Sequence, residues 1–197
     1  MTERRLVIAC DILRSEMEYV LRDSQKFQVE YIWLGAGLHN DLEVLEQRLE
    51  AAWKKIPAEL AGGPEIRLMI GQGCLPHMKE WAAEKKVHLL PTKNCLTALL
   101  GEERLAELEQ NRTMVITPSW IRRNWFAEEG IRKLLGWDDT DFRINFGRYD
   151  RILVLDSGLE SLSDEEILEV FSVVEVPLET APLSLDRFQR FFEEFLA

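Results

Sequence analysis

Short, apolar, β-rich runs alternate along this chain with stretches of helical period, and that alternation restricts its fold more than any other feature. Strand-like runs cover Arg5–Cys10, Phe27–Leu34, Ile66–Ile70, Val87–Leu90, Thr113–Thr117 and Arg151–Leu155, and Val173–Val176 reads as a short last strand. Each is followed by helix signals. Ser15-Glu-Met-Glu18 has the form of a capping box, and Asn40 stands where it can cap a helix over Asp41–Lys55. In that helix Leu42, Leu45, Leu49 and Trp53 form an apolar stripe, and Ala61-Gly-Gly-Pro64 ends the unit. Pro76 suits a first helical turn, further helices are predicted after Cys95 and from Pro118 to about Leu135, and Ser163-Asp-Glu-Glu166 opens another. Residues 137–150 read as an irregular loop. Residues 184–197 read as a C-terminal helix with Phe188, Phe191, Phe192 and Phe195 at helical spacing. Strands alternating with helices predict an α/β fold, a mainly parallel sheet with helices on both faces. The expectation is a single Rossmann-like three-layer sandwich over residues 1–197.

Composition excludes several classes of function. A net charge of −11 argues against nucleic acid, whose phosphates demand a cationic surface. The longest apolar runs are strand-sized and interrupted by charge, so no membrane span is predicted. Met1-Thr-Glu-Arg-Arg leads straight into a strand-like run without a secretory apolar region, which predicts a cytoplasmic protein. In a reducing compartment the three cysteines are not a disulfide framework. They are small buried hydrophobes or thiolates with a task.

Their positions favour a task. In a parallel sheet every strand-to-helix turn lies at the same edge, where ligands bind. Cys10, Cys74 and Cys95 fall at three such turns, and His39, Thr117, Ser119 and Asp156 at others. Thiols at helix N-termini are expected to have lowered pKa values, which favours the thiolate that metals require. Three thiolates can hold zinc with an open fourth position, or an iron–sulfur cluster with one open iron. His39, His77, Asp11 and Asn94 are candidates to complete the shell. Gly71-Gln-Gly73 offers a phosphate an approach to the following helix N-terminus, but the full dinucleotide fingerprint is missing and a glycine-lined tight turn is the plainer reading. Asp156-Ser-Gly158 offers a carboxylate and a hydroxyl at the same edge, but no nucleophile elbow accompanies them. His88, within a strand, reads as structural.

Several of these segments resemble a known family in the right order. Ile8-Ala-Cys-Asp-Ile-Leu-Arg-Ser-Glu16 is similar to the opening strand and cysteine of the DUF1638 family, a group of bacterial and archaeal proteins. Gly37-Leu-His-Asn40, Ile70-Gly-Gln-Gly-Cys74 and Lys93-Asn-Cys95 resemble its next three turns. Thr117-Pro-Ser-Trp120 and Phe146-Gly-Arg-Tyr149 through Asp156-Ser-Gly158 resemble its later segments. Two positions depart from the pattern. Leu75-Pro76-His77 replaces glycines after the second cysteine, and Asn94 or Lys93 stands where the family has a histidine. His77 is the candidate substitute.

The resemblance implies a metal site of Cys10, Cys74, Cys95 and His77, with His39, Gly73, Asn94 and Asp156 near a cofactor. It also implies a link to corrinoid-dependent methyl transfer. The expected cofactor is then zinc or iron, an iron–sulfur cluster or a corrinoid, and the expected partner a corrinoid or methyltransferase protein. Two other readings stay open: a metal-free thiol enzyme using one activated cysteine, and a non-catalytic adaptor. Catalysis itself is not implied by any of these residues.

Overall fold

The computed structural model describes residues 2–57, 60, 63, 65–126 and 130–197. Its strands form two sheets in which every pairing is parallel. The first has the order β2-β1-β3-β4, from β1 (Glu3–Cys10), β2 (Phe27–Leu34), β3 (Ile66–Met69) and β4 (His88–Leu89). The second has the order β5-β6-β7, from β5 (Thr113–Ile116), β6 (Arg151–Asp156) and β7 (Leu178–Pro182). The predicted parallel α/β architecture is therefore present, divided between two sheets.

Helices α1 (Arg14–Leu21), α2 (Leu42–Trp53), α3 (Met78–Lys85), α4 (Cys95–Leu100) and α5 (Glu102–Leu108) follow the first four strands. Around the second sheet lie α6 (Pro118–Trp120), a π-helical turn over Ile121–Trp125, α7 (Ile131–Leu134), α8 (Asp139–Phe146) and α9 (Asp164–Val174). The chain closes with α10 (Asp186–Leu196).

The strand period of two sorts the core. In β1, Leu6 and Ile8 pack with Leu45 and Leu49 of α2 and Trp81 of α3, while Val7 and Ala9 point the other way. That opposite face also holds Val115 of β5, Leu153 and Leu155 of β6, and Phe188 and Phe192 of α10. One apolar cluster is thus shared by both sheets. Ile152 and Val154 face a third cluster with Trp125, Phe142 and Val170. Helix α10 buries Phe188, Phe192 and Leu196 completely, one per turn, burial worth roughly 2 kcal/mol for each side chain. Its C-terminal carbonyls are taken up by Arg5, which donates to Leu196 O, and by Arg67, which donates to Phe195 O at 2.8 Å and Leu196 O at 3.1 Å.

Several sequence expectations change. Residues 137–150 are not an irregular loop: Asp138 and Asp141 form a capping box that starts α8, and Phe142 and Phe146 anchor it in the third cluster. Its single turn-and-a-half of apolar period is too short to stand out beside four neighbouring acidic and threonine residues. Val173–Val176 is not a strand; it ends α9, and β7 begins at Leu178. β-branched residues were overridden there by the helix that the Ser163 capping box starts ten residues upstream of Val173. Ser15 caps nothing, because a 3₁₀ turn over Asp11–Leu13 runs directly into α1. Asp41, not Asn40, caps α2 by accepting from Val44 N at 3.1 Å, and Leu42 is exposed. The expected long helix from Pro118 is broken into α6, the π turn and α7, with residues 127–129 outside the described set. Of the break at Ala61–Pro64, only Gly63 lies within the described residues.

Candidate functional site

The order β2-β1-β3-β4 reverses at β1: the chain first steps outward to β2, then returns to place β3 on the other flank. Crossovers of opposite direction part at that point and open a crevice at the carboxyl ends of β1 and β3. A cavity of about 540 Å³ occupies it, lined by Cys10, Cys74, Cys95, His39, Gly73 and Asn94. Its other wall comes from the second sheet and includes Val115, Trp120, Asn124 and Tyr149. The volume lies in the range of small-molecule sites.

Each cysteine is fixed by its element. Cys10 is the last residue of β1, and its thiol reaches the Gly35 carbonyl at 3.9 Å, a weak donor contact. Cys95 is the first residue of α4, whose cap is Asn94: the Asn94 side-chain oxygen accepts from Thr97 N at 2.8 Å and Thr97 Oγ1 at 3.0 Å. Cys74 sits in the loop after β3, and this loop is bolted to the one before Cys95. Gln72 N donates to Thr92 O at 3.0 Å and Gly73 N to Lys93 O at 2.8 Å. A Cβ at Gly71 would stand 2.3 Å from the Lys93 carbonyl oxygen, so only glycine allows the approach.

The thiols do not behave as the helix-dipole argument expects. Burial pushes all three pKa values up: Cys95 to about 12, Cys10 further, and Cys74 in the same direction. After desolvation, Cys95 and Cys74 raise Cys10, and Cys74 raises Cys95, since a second negative charge nearby disfavours ionisation. Helix α4 has only six residues and Cys10 precedes a 3₁₀ turn, so neither supplies a strong dipole. Among the described residues, no group of three or more His, Cys, Asp or Glu side chains is placed to hold a metal ion.

His39 lies on the rim, its ring centroid 6.2 Å from that of Trp120, and desolvation lowers its pKa. His77 is elsewhere: it is exposed on the outer surface with Nε2 3.1 Å from Glu46 Oε1. Asp156 also does not line the cavity; its Oδ1 accepts from Gly158 N at 2.7 Å and closes the turn after β6. His88 is exposed in β4 and outside the cavity.

A polar seam behind the cavity joins the two sheets. Glu160 accepts from Ser15 Oγ at 2.7 Å and Ser119 Oγ at 2.8 Å and pairs with Arg123, which also donates to Asp11 O at 3.2 Å. Burial alone would raise the Glu160 pKa, but these hydroxyls and the guanidinium hold it below the usual value. Glu16 is almost wholly buried, one of its oxygens has no partner, and desolvation pushes its pKa up to about 7. The Cβ contact at Gly37 belongs to the same seam: with φ at +82°, Gly37 lies so close to the Asn124 side chain that a Cβ would be 2.1 Å from its oxygen.

Sequence reasoning missed Asn124 as a site residue and noted Trp120 and Tyr149 only as members of motifs. Asn124 was hidden inside an apparently continuous helix. An uncharged polar residue between the buried Ile121 and Trp125 was the available signal.

Fold and cavity together define a parallel α/β protein with a thiol-lined cavity at a strand-order reversal. The particular family follows from comparison with known families. The profile described as "Protein of unknown function (DUF1638)" matches residues 33–192, and the chain belongs to that family. No curated protein and no solved structure matches it.

Proposed function

We propose that this protein binds a thiophilic metal centre through Cys10, Cys74 and Cys95, with an iron–sulfur cluster favoured over a single zinc ion. The carrying observation is that cysteines 64 and 21 positions apart in sequence line one cavity at the sheet reversal. The donor set fits a soft metal: three sulfurs, no hard carboxylate on the inner wall, and a loop pair that fixes two of the three thiols relative to each other. A cluster distributes its thiolates over separate irons, so three cysteines around a cavity suit it better than they suit one ion, which needs a tight shell. A four-iron cluster held by three protein thiolates would leave one iron without a protein ligand. The bound centre would supply Lewis acidity or electron transfer there. The chain's own part is to exclude water with an apolar wall and to release the thiol protons on loading.

A metal-free thiol enzyme needs one activated thiolate, and all three thiols are instead pushed up. A corrinoid with its macrocycle and nucleotide tail exceeds the enclosed volume. In this reading a corrinoid reaches the site on a partner protein, with the cavity serving the chemistry at its face.

The test is elemental analysis and an absorption spectrum of protein purified without oxygen, beside Cys74→Ser. The expected result is iron and sulfide in the wild type with broad visible absorption, both lost in the variant. Metal-free wild-type protein that also fails to take up iron and sulfide on reconstitution overturns the proposal.

A further inference from the structure

The edges of the two sheets are protected unequally. A strand edge exposes a row of unpaired N–H and C=O groups, and native proteins shorten, cover or interrupt such edges. β4 has only two residues, β5 lies against the cavity through Val115, and β7 carries Pro182 and the charged Glu179. β2 has none of these devices. It pairs with β1 residue for residue from Phe27 to Leu34, without a bulge, a proline or a glycine. Between its buried ends, Gln28 to Trp33 are partly or fully exposed. The charged side chain of the strand, Glu30, is drawn toward β1, where Arg4 Nη2 lies 3.0 Å from its Oε1, so it does not screen the edge.

The ladder fixes which backbone groups point outward. Glu3 N donates to Lys26 O at 2.8 Å, so Lys26 and every second residue after it turn their backbone groups to β1. The N–H and C=O of Val29, Tyr31 and Trp33 therefore face away from the sheet. Among the described residues, none of these groups has a hydrogen-bond partner.

We infer that β2 is a dimerisation edge, which pairs antiparallel with β2 of a second copy of this chain and makes one sheet continuous across both. A two-fold axis between antiparallel strands runs through the sheet, so residues that oppose each other come from the same side of it. Only registers centred on a single residue meet that condition, and the longest overlaps are centred on Glu30 or on Tyr31. The first sets Glu30 against Glu30 of the second copy, a like-charge pair that disfavours it. The second sets Glu30 against Ile32, Val29 against Trp33 and Tyr31 against Tyr31 of the second copy. It opposes no like charges and gathers the stacked Tyr31 and Trp33 rings of both copies near the axis. It also pairs every outward group of Val29, Tyr31 and Trp33, about six backbone hydrogen bonds in all. The strand is thus complementary to itself, and the two-fold closes the assembly at two chains. No residue of β2 lines the thiol cavity, so the contact is independent of the proposed metal centre.

Sedimentation velocity of the full chain over about a hundredfold range of concentration is expected to show reversible conversion to a species of twice the chain mass, and none larger. Hydrogen exchange at the Val29, Tyr31 and Trp33 amides should slow roughly tenfold or more as that species forms. The Gln28, Glu30 and Ile32 amides, already bonded to β1, should change little. Val29→Pro removes an outward N–H that β1 does not use, and Val29→Lys places a charge on the edge. Either variant should stay monomeric with its circular dichroism unchanged.

A wild-type monomer at every concentration, which an edge reserved for a foreign peptide would also give, overturns the inference. A dimer that forms without slowing those three amides, or that persists at wild-type strength in both variants, overturns it as well, because its interface lies elsewhere. Should both variants unfold, the exchange of the wild-type amides against concentration decides alone.

Discussion

The two sheets are built from the same unit, a parallel strand leading into a helix, yet they contribute to the cavity very differently. In the four-stranded sheet the strand order reverses at β1, and the turns after β1, β3 and β4 deliver Cys10, Cys74 and Cys95 to one crevice. In the three-stranded sheet the strands add in one direction, β5-β6-β7, with no reversal of order. Asp156, at the end of its central strand, therefore spends its carboxylate on closing a turn. Of this sheet, the edge strand β5 and the connection after it line the cavity, with Val115, Trp120, Asn124 and Tyr149. A reactive residue at a strand end is therefore not enough. The order of the strands decides which ends face a common space.

The largest expected effect lies at the seam between the sheets. Glu16 has a folded pKa of about 7 against an ordinary 4.5, so the native state holds the extra proton between those values. Stability should fall as pH rises from about 4.5 to 7 and level off above, by about 3 kcal/mol in all. Glu16→Gln should flatten that slope in urea titrations, and an unchanged slope would place the buried charge elsewhere.

Next in size is the contrast between two glycines at strand ends. At Gly71 a Cβ meets backbone of the neighbouring loop at 2.3 Å, whereas at Gly158 nothing lies within 4 Å and only the positive φ is strained. Gly71→Ala should cost roughly 3 kcal/mol through overpacking, and Gly158→Ala about 1 kcal/mol through backbone strain. Equal costs would break the claim that the loops carrying Cys74 and Cys95 are tightly bolted together.

Glu160→Ala should cost about 2 kcal/mol by leaving Arg123 uncompensated and two hydroxyls unpaired. Glu160 has a lowered folded pKa, so its contribution is present above its unfolded pKa and is lost as pH falls through the folded value, opposite in sign to Glu16. Smallest is Glu166, whose hydrogen bonds from Arg122 and Ser163 N hold its pKa near 2. Glu166→Gln should remove only an acid-side dependence, below about pH 4, since the pair is solvent-exposed.

Most strands, and the convergence of the cysteine turns, were legible because period-two apolar runs and turn residues are local signals. The division into two sheets was not, since pairing between strands is a tertiary choice that the pattern of one strand does not encode. Asn40 and Asp41 both suit a helix cap, and only the backbone angle of Asp41 decides between them. The raised thiol pKa values were also beyond sequence reach, because they come from depth in the fold. His77 was the candidate substitute for the histidine that the family has before its third cysteine, but the loop turns it outward toward Glu46.

The central claim is that three cysteines, distant in sequence, serve one centre. X-ray absorption at the metal edge of the anaerobically loaded protein counts its sulfur neighbours directly, and Cys10→Ser, Cys74→Ser and Cys95→Ser each remove one protein thiolate. The account predicts that every one of the three variants loses sulfur neighbours or the metal itself, by a similar amount. A spectrum unchanged by any one of them would show that its cysteine stands apart from the centre, and the shared site would be contradicted.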